Sequence, residues 1–536
     1  MLLFCVAPNW TQATSNADWA AREGHTAVVF DNKMWILGGS DGSNKNDVWY
    51  TNDGINWSLA TSNASWTGRS HLRSVVSDNK ILILGGSTGL YKNDVWYSSN
   101  GSSWIENASS TDWPGRFAHA SVQFNNKIWV LGGYTSSGAK NDIWYMNESW
   151  QGTQQVGTSG DDIAYGIAIG SDGGIFITGE TGGSLNGENY TGGKDAFLMK
   201  FGSSGVHQWT KQFGTSSDDF GSAIVLDSAG NIYITGQTQG ELDGNSNTGG
   251  HDVFLTKYNS SGTKLWTKLW GSISDDWSGA ITVDNAGYIF ITGTIAPHGS
   301  NIMFFAKYNS SGVFQWDKQW NNSSQGNGIS VDSSGNIYIA GHTHTATVWD
   351  QYLAKFDSSG TLLWAKPTSN AGYDYGHGIV QDSAGHIYVP GSTTGSIGGN
   401  TNLGSNDIIL VKYDTDGNIQ WAKQPGTVGE DWVTIGGISL DSSGNICITG
   451  LVTGILDGNS FAGSKDVFLI KYNSSGTKLW SKQIGTSSDD IGNSVAVDDN
   501  GNAFIVGETQ GGLDGNSNAG QKDIFLLKYD SNGIKQ

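Results

Sequence analysis

One element restricts the fold more than any other, because the chain writes it seven times. A short apolar run closing on glycine occurs as GGIFITG (173–179), GNIYITG (230–236), GYIFITG (287–293), GNIYIAG (335–341), GHIYVPG (385–391), GNICITG (444–450) and GNAFIVG (501–507). A second element follows each copy: DAFLMKF (195–201), DVFLTKY (252–258), MFFAKY (303–308), QYLAKF (351–356), DIILVKY (407–413), DVFLIKY (466–472) and DIFLLKY (523–529). Copies recur every 48–59 residues. Self-similarity at such a period signals a propeller, a solenoid or an array. The second copy parses into four strands: SAIVLD, NIYITG, DVFLTKY and KLWTKLW. The turn signals DSAGN and NSSGT join the first to the second and the third to the fourth. Asn, Asp and Gly tolerate the positive φ that tight hairpins demand. Four antiparallel strands per repeat make a propeller blade, and no segment carries a helical 3.6 period. The expected fold is all-β, a β-propeller of four-stranded antiparallel blades.

The first 149 residues use a variant of the same plan at an even period of 47. WILGG (35–39), LILGG (82–86) and WVLGG (129–133) each end a strand. NDVWY (46–50), NDVWY (93–97) and NDIWY (141–145) form the next. Arg22, Arg69 and Arg116 recur at the same interval. A double glycine after an apolar strand, then a Tyr, then a Trp seven residues on resembles the Kelch repeat. The DxFLxKYxxxGxxxW and GNIYITG elements of the remaining chain resemble the bacterial beta-propeller repeat called SBBP, a resemblance that implies a seven-blade arrangement. Neither resemblance implies a reaction. The domains read as a signal remnant or disordered start at 1–9, three Kelch-like blades at 10–149 and seven SBBP-like blades at 150–536.

Ten Trp open the outer strands: Trp10, Trp57, Trp104, Trp150, Trp209, Trp266, Trp316, Trp364, Trp421 and Trp480. The chain ends just before an eleventh is due, and an earlier Trp element could complete the last blade. Closure by the Trp150 element gives a seven-blade ring plus three Kelch-type blades. Closure by the Trp10 element gives one ten-blade ring, above the usual four to eight. An open arc is the third arrangement.

Composition removes several functions. The formal charge is −20, from 29 basic and 49 acidic residues, with no Lys/Arg cluster of the kind that reads a nucleic-acid backbone or an anionic membrane. No apolar run reaches the ~18–20 residues of a membrane-spanning helix. The two cysteines, Cys5 and Cys447, do not make a disulfide framework, and Cys447 reads as a small core residue. The start MLLFCVAPNW is apolar without a basic region; it reads as the stump of a signal peptide, a lipoprotein signal ending at Cys5, or a plain gene start. The Gly/Ser/Thr/Asn-rich, Cys-poor, acidic composition fits an extracellular or cell-surface bacterial protein.

The sharpest candidate site is a repeated Asp/Asn loop. DGNSNTGGHD places Asp243, Asn245, Asn247 and Asp252 at alternating offsets, the way a loop wraps a hard cation such as Ca²⁺. Asp457, Asn459 and Asp466 repeat it, as do Asp514, Asn516, Asn518 and Asp523; Asn186, Asn189 and Asp195, and Asn400, Asn402 and Asp407, are weaker versions. Asx turns, in which these side chains bond their own backbone, account for the same residues. Acidic pairs also recur, at 161–162, 218–219, 275–276 and 489–490; a catalytic pair is expected once, so these read as structural or cation-related. His342 and His344, with His298 one repeat earlier, form the one metal-like histidine group. P-loop, HExxH and CxxC signatures are missing. Two functions remain: a non-enzymatic binding or scaffold module for a protein or glycan partner, and an enzyme with a glycan-cleaving or oxidising site in a central pit. The fourth SBBP-like blade, with Trp349 and Asp350, departs furthest from the repeat and marks the place to look for the latter.

Overall fold

The computed structural model describes residues 11–77, 80–124, 127–147, 150–296, 301–345, 348–368 and 372–536. The leader reading at 1–9, Cys5, Trp10 and His298 lie outside them. Strands make ten antiparallel blade-like sheets, and internal contacts divide the chain into two compact units at the junction of residues 149 and 150.

The N-terminal unit holds three blades in series. The first has strands Thr26–Phe30, Lys33–Leu37, Val48–Thr51 and Ser58–Thr61, in that order across the sheet. The recurring arginines tie each blade together. Arg69 donates to both carboxylate oxygens of Asp94 at 2.6 and 2.8 Å and to the Gly85 carbonyl at 2.9 Å. Trp96 donates its indole N–H to the same Asp94 at 3.0 Å. Arg22 with Asp47, and Arg116 with Asp142, repeat the fork in their own blades. A planar guanidinium suits such bidentate pairing, which explains an arginine at every 47th residue.

The C-terminal unit is a ring of seven blades. The second is representative: Asp219–Leu226, Ile232–Thr238, Asp252–Tyr258 and Lys264–Trp270 run in order from the centre outward. The second strand is buried along its whole length, because a neighbouring blade covers each face of the sheet. That is why the repeat reads IYIT rather than alternating apolar and polar residues. The glycine inside this strand is obligatory: a Cβ at Gly236 would lie 1.8 Å from the Phe220 carbonyl oxygen, and the equivalent Gly179, Gly293, Gly341, Gly391, Gly450 and Gly507 are equally crowded. The outer-strand Trp holds blade to blade. A Cβ on Gly262, in the turn of the second blade, would press on the Trp209 ring of the first at 3.1 Å, and Gly312 meets Trp266 in the same way.

Closure uses the segment after Trp150. Gln154–Val156 pairs antiparallel with Asp523–Tyr529 and supplies the fourth strand of the last blade. The seam is bonded like its sibling junctions. Asp162 N–H donates to the Lys522 carbonyl at 2.9 Å, as Asp219 does to Lys194 at 2.7 Å and Asp490 to Lys465 at 3.0 Å. Of the closures open at the sequence level, the ten-blade ring through Trp10 is therefore not the arrangement of this unit.

Candidate functional site at the mouth of the seven-blade ring

The innermost strand of most blades begins with a buried aspartate, the second member of the acidic pair. Asp219 accepts the Thr215 N–H at 2.6 Å and the Thr215 hydroxyl at 3.0 Å, and Asp162, Asp431 and Asp490 repeat this with Thr158, Thr427 and Thr486. Burial pushes these carboxyl groups upward, Asp276 to about 6. They fasten one blade's outer strand to the next blade's inner strand. The first member of the pair faces the rim: Asp218 accepts the Lys194 N–H at 2.9 Å, Asp275 meets His251 Nδ1 at 2.9 Å, and Asp489 pairs with Lys465 at 2.8 Å. The acidic pairs are thus inter-blade fastenings.

The Asp/Asn loops are not gathered around a common centre. Asp243 is held by Lys264 at 2.8 Å and by the Thr267 hydroxyl at 2.5 Å. Asn245 and Asn247 donate their amides to the carbonyls of Leu242 and Thr238, while Asp252 accepts Thr248 N–H at 2.9 Å inside the blade. Asp457 pairs with Lys478, Asn459 bonds the Leu456 carbonyl and Asp466 accepts Ala462 N–H. Asp514 pairs with Lys535, Asn516 and Asn518 bond the carbonyls of Leu513 and Thr509, and Asp523 accepts Ala519 N–H. Each loop is knit by its own backbone and one lysine. His342 is buried against Asn327, and His344 stacks edge-on against Trp349. Among the described residues no group of three or more His, Cys, Asp or Glu side chains is placed to hold a metal ion.

What varies is the second residue of each inner strand, which follows the buried aspartate in six blades and Ser324 in the fourth. The seven blades carry Ile163, Phe220, Trp277, Gln325, Tyr375, Trp432 and Ile491 there, each opposite a second-strand residue: Glu180, Gln237, Thr294, His342, Ser392, Leu451 and Glu508. These side chains surround the mouth of the ring. On one side Phe220, His251 and Trp277 lie in sequence with centroids 6.0 and 4.6 Å apart and planes 33° from parallel. On the other, Tyr375 touches His342, His377 and Trp432. Glu180 is ion-paired to Lys194 at 2.5 Å and Glu508 to Lys522 at 3.0 Å. Burial pushes Glu180 upward even so.

A cavity of about 570 Å³ opens here, lined among others by Asp161, Glu180, Lys194, Phe220, Trp277 and Gln325. Its volume is in the range of about 300–1,000 Å³ typical of small-molecule sites. Its floor comes from the sixth blade. The inner strand Asp431–Leu440 carries two more residues than its siblings and breaks register between Val433 and Ile438. The bulge is pinned by Thr434 donating to the Gly492 carbonyl at 2.6 Å, and it brings the strand into contact with the inner strands Asp162–Ile169, Asp276–Val283 and Ser324–Val331. Ile435 at its tip lines both this cavity and a second one of about 250 Å³. Bulges characteristically re-aim a side chain this way. Neither the rim position nor Ile435 was singled out from sequence. Superposing the repeats on the start of the inner strand, and noticing TIGG where siblings have two residues, is the signal that finds both.

The architecture defines the protein class as a β-propeller. Comparison with known families agrees: a Kelch motif matches residues 21–50, and the SBBP beta-propeller repeat matches residues 208–243, 321–346 and 479–514. The chain is similar to the regulatory protein FlaEY of Caulobacter vibrioides, 24% identical over 163 residues, covering 28% of this chain and 16% of that protein. It is also similar to an uncharacterized WD repeat-containing protein of Acanthamoeba polyphaga mimivirus, 31% identical over 104 residues, 17% of this chain and 7% of the other. The chain thus matches only a small part of the length of each relative. Among solved structures, the Neurospora crassa Pan2 WD40 domain aligns over 58% of this chain and 75% of its own, with 15% identity and a TM-score of 0.36.

Proposed function

We propose that this protein is a non-enzymatic binding scaffold whose partner, a protein or glycan, sits over the mouth of the seven-blade ring. The supporting observation is that the second position of the seven inner strands, where the copies would be free to repeat, carries five kinds of side chain, and that four of these residues, Ile163, Phe220, Trp277 and Gln325, line one cavity. The fastenings beside them repeat from blade to blade. A propeller scaffold with diversified rim residues is a recognition surface. The alternative of an enzyme in the pit is weaker, because the two buried carboxylates at the mouth, Glu180 and Glu508, are each bonded to a lysine. We place the protein at the bacterial surface or outside the cell, on the strength of its acidic, Cys-poor, Gly/Ser/Thr/Asn-rich composition. No helix among the described residues is long and apolar enough to cross a membrane.

The test is retention of arrayed glycans and of immobilised cell-envelope proteins by the purified chain. Trp277→Ala and Trp432→Ala should abolish retention, and the outer-strand control Leu479→Ala should preserve it. Retention equal in all four proteins would overturn the reading.

A further inference from the structure

Resting on that reading, we infer that the mouth cavity takes a neutral saccharide, with a pyranose ring lying on Trp277 and its hydroxyls meeting Asp161 and Gln325. Three observations carry this.

The first is the aromatic platform. Trp277 is 42% exposed, an unusual position for so large a ring. It is braced from behind by His251, itself fixed by Asp275 at 2.9 Å. A braced, solvent-facing indole presents a face of negative quadrupole, which attracts the polarised C–H groups on one side of a sugar ring.

The second is the balance of charge. Carboxylates and ammonium groups line the same wall: Asp161 and Glu180 beside Lys194 and Lys522. A cationic ligand meets two lysines and an anionic one meets two carboxylates, so neither gains. Lys194 already lies over the face of Phe220, 5.7 Å from its centroid, which removes that ring as a seat for a second cation. A hydroxyl both donates and accepts, and it can satisfy either sign.

The third is unused hydrogen-bonding capacity. The siblings of Asp161 are all engaged, Asp218 and Asp275 by backbone N–H groups and Asp489 by a lysine. The Asp161 carboxylate makes no hydrogen bond among the described residues, and the Gln325 carboxamide makes none either. Gln325 stands where the other blades carry apolar or aromatic side chains, so an amide there brings donor and acceptor capacity to the cavity at some expense in packing. A carboxylate and a carboxamide lining one cavity with an exposed indole suit a ring with hydroxyls at its edge. The apolar lining from Ile435 and Ile163 favours the C–H faces of a sugar over a chain of charged residues.

The experiment titrates the full-length chain with neutral tetrasaccharides of glucose, galactose, mannose and N-acetylglucosamine, by calorimetry and by tryptophan fluorescence. Oligogalacturonate, a glucosamine oligomer and a Lys/Arg-rich peptide are run alongside. At least one neutral sugar should bind saturably. Trp277→Ala should weaken it about tenfold, the size of one lost stacking contact, and Trp277→Phe should restore part of it. Asp161→Asn should weaken it tenfold or more, as for a lost charge-assisted bond, and Leu479→Ala should change it less than twofold. Melting curves matching the parent confirm that the variants fold; Gln325→Ala, with an expected threefold to tenfold loss, serves if Trp277→Ala does not. Binding of only the charged oligomers or the peptide overturns the inference. So does failure of every neutral sugar, or a neutral sugar whose affinity ignores all three cavity variants. If the mouth variants still abolish retention of an envelope protein while no sugar binds, the saccharide inference falls and the scaffold reading stands.

Discussion

Ring closure rests on a three-residue strand, and one side chain there does most of the fastening. Gln155 donates its amide to the Gly511 carbonyl at 3.0 Å and to Asp523 at 2.9 Å, and its carbonyl accepts the Leu513 N–H at 3.0 Å. The same three bonds are made within the sixth blade by Gln483, to Gly454, Asp466 and Leu456. Gln155→Ala removes all three, strands the Leu513 N–H and leaves the Asp523 carboxylate with the Ala519 N–H, both residues being almost wholly buried. Each buried group left unpaired costs about 1–3 kcal/mol, so allowing for water entering at an edge strand, closure should weaken by about 3 kcal/mol. At 1.4 kcal/mol per factor of ten, amide exchange through local opening should speed up by roughly a hundredfold. The assay is hydrogen exchange with mass spectrometry on the full chain. Peptides covering 154–156 and 523–529 should lose protection in Gln155→Ala. The control Gln483→Ala should affect 454–466 and 478–484 and leave the seam protected. Protection at 523–529 within threefold of the parent would refute the claim that Gln155 holds the ring shut.

Arg69→Ala should destabilise the N-terminal unit by about 3–5 kcal/mol, because it leaves Asp94 buried without its partner; replacing both residues with apolar ones should recover most of the loss, as read by exchange over residues 80–98. The Asp94 carboxyl is opposed by burial but held below its ordinary value by Arg69, so its contribution is present at neutral pH and is lost as acid titrates it below about 4. Burial lowers His342 to about 4 and His377 to about 3. The unfolded chain binds these protons first, so stability should decline as pH falls from about 6.5 toward 4, and the decline in urea midpoint should be shallower in His342→Gln. Burial pushes the Cys447 thiol up to about 12; in a Cys5→Ser background a thiol reagent should label it only after denaturation.

The fold was legible because its determinants are local and repeated. The glycine of each ITG element, the Asp-x-x-Gly turns and the run of apolar residues in the second strand each state a geometric requirement ten or seven times over, and repetition removes the ambiguity of a single short apolar run. The 47-residue arginine period was visible as well, although its partner aspartates were not. The Asp/Asn loops show the opposite case. Their spacing matches a cation-binding pattern, but Asp243, Asp457 and Asp514 each meet a lysine 21 residues downstream, past the third strand of the blade, and only the hairpin register reveals that contact.

The sequence by itself determined the blade, the number of repeats and the two dialects, because each follows from side-chain periodicity and turn chemistry within some fifty residues. The tertiary structure alone decided which Trp element closes the ring, since three paired residues at 154–156 must meet a strand more than 360 residues away. It also decided the mouth: the second residues of seven separate inner strands, and one isoleucine on a two-residue bulge, become neighbours only when the blades are arranged around a common axis.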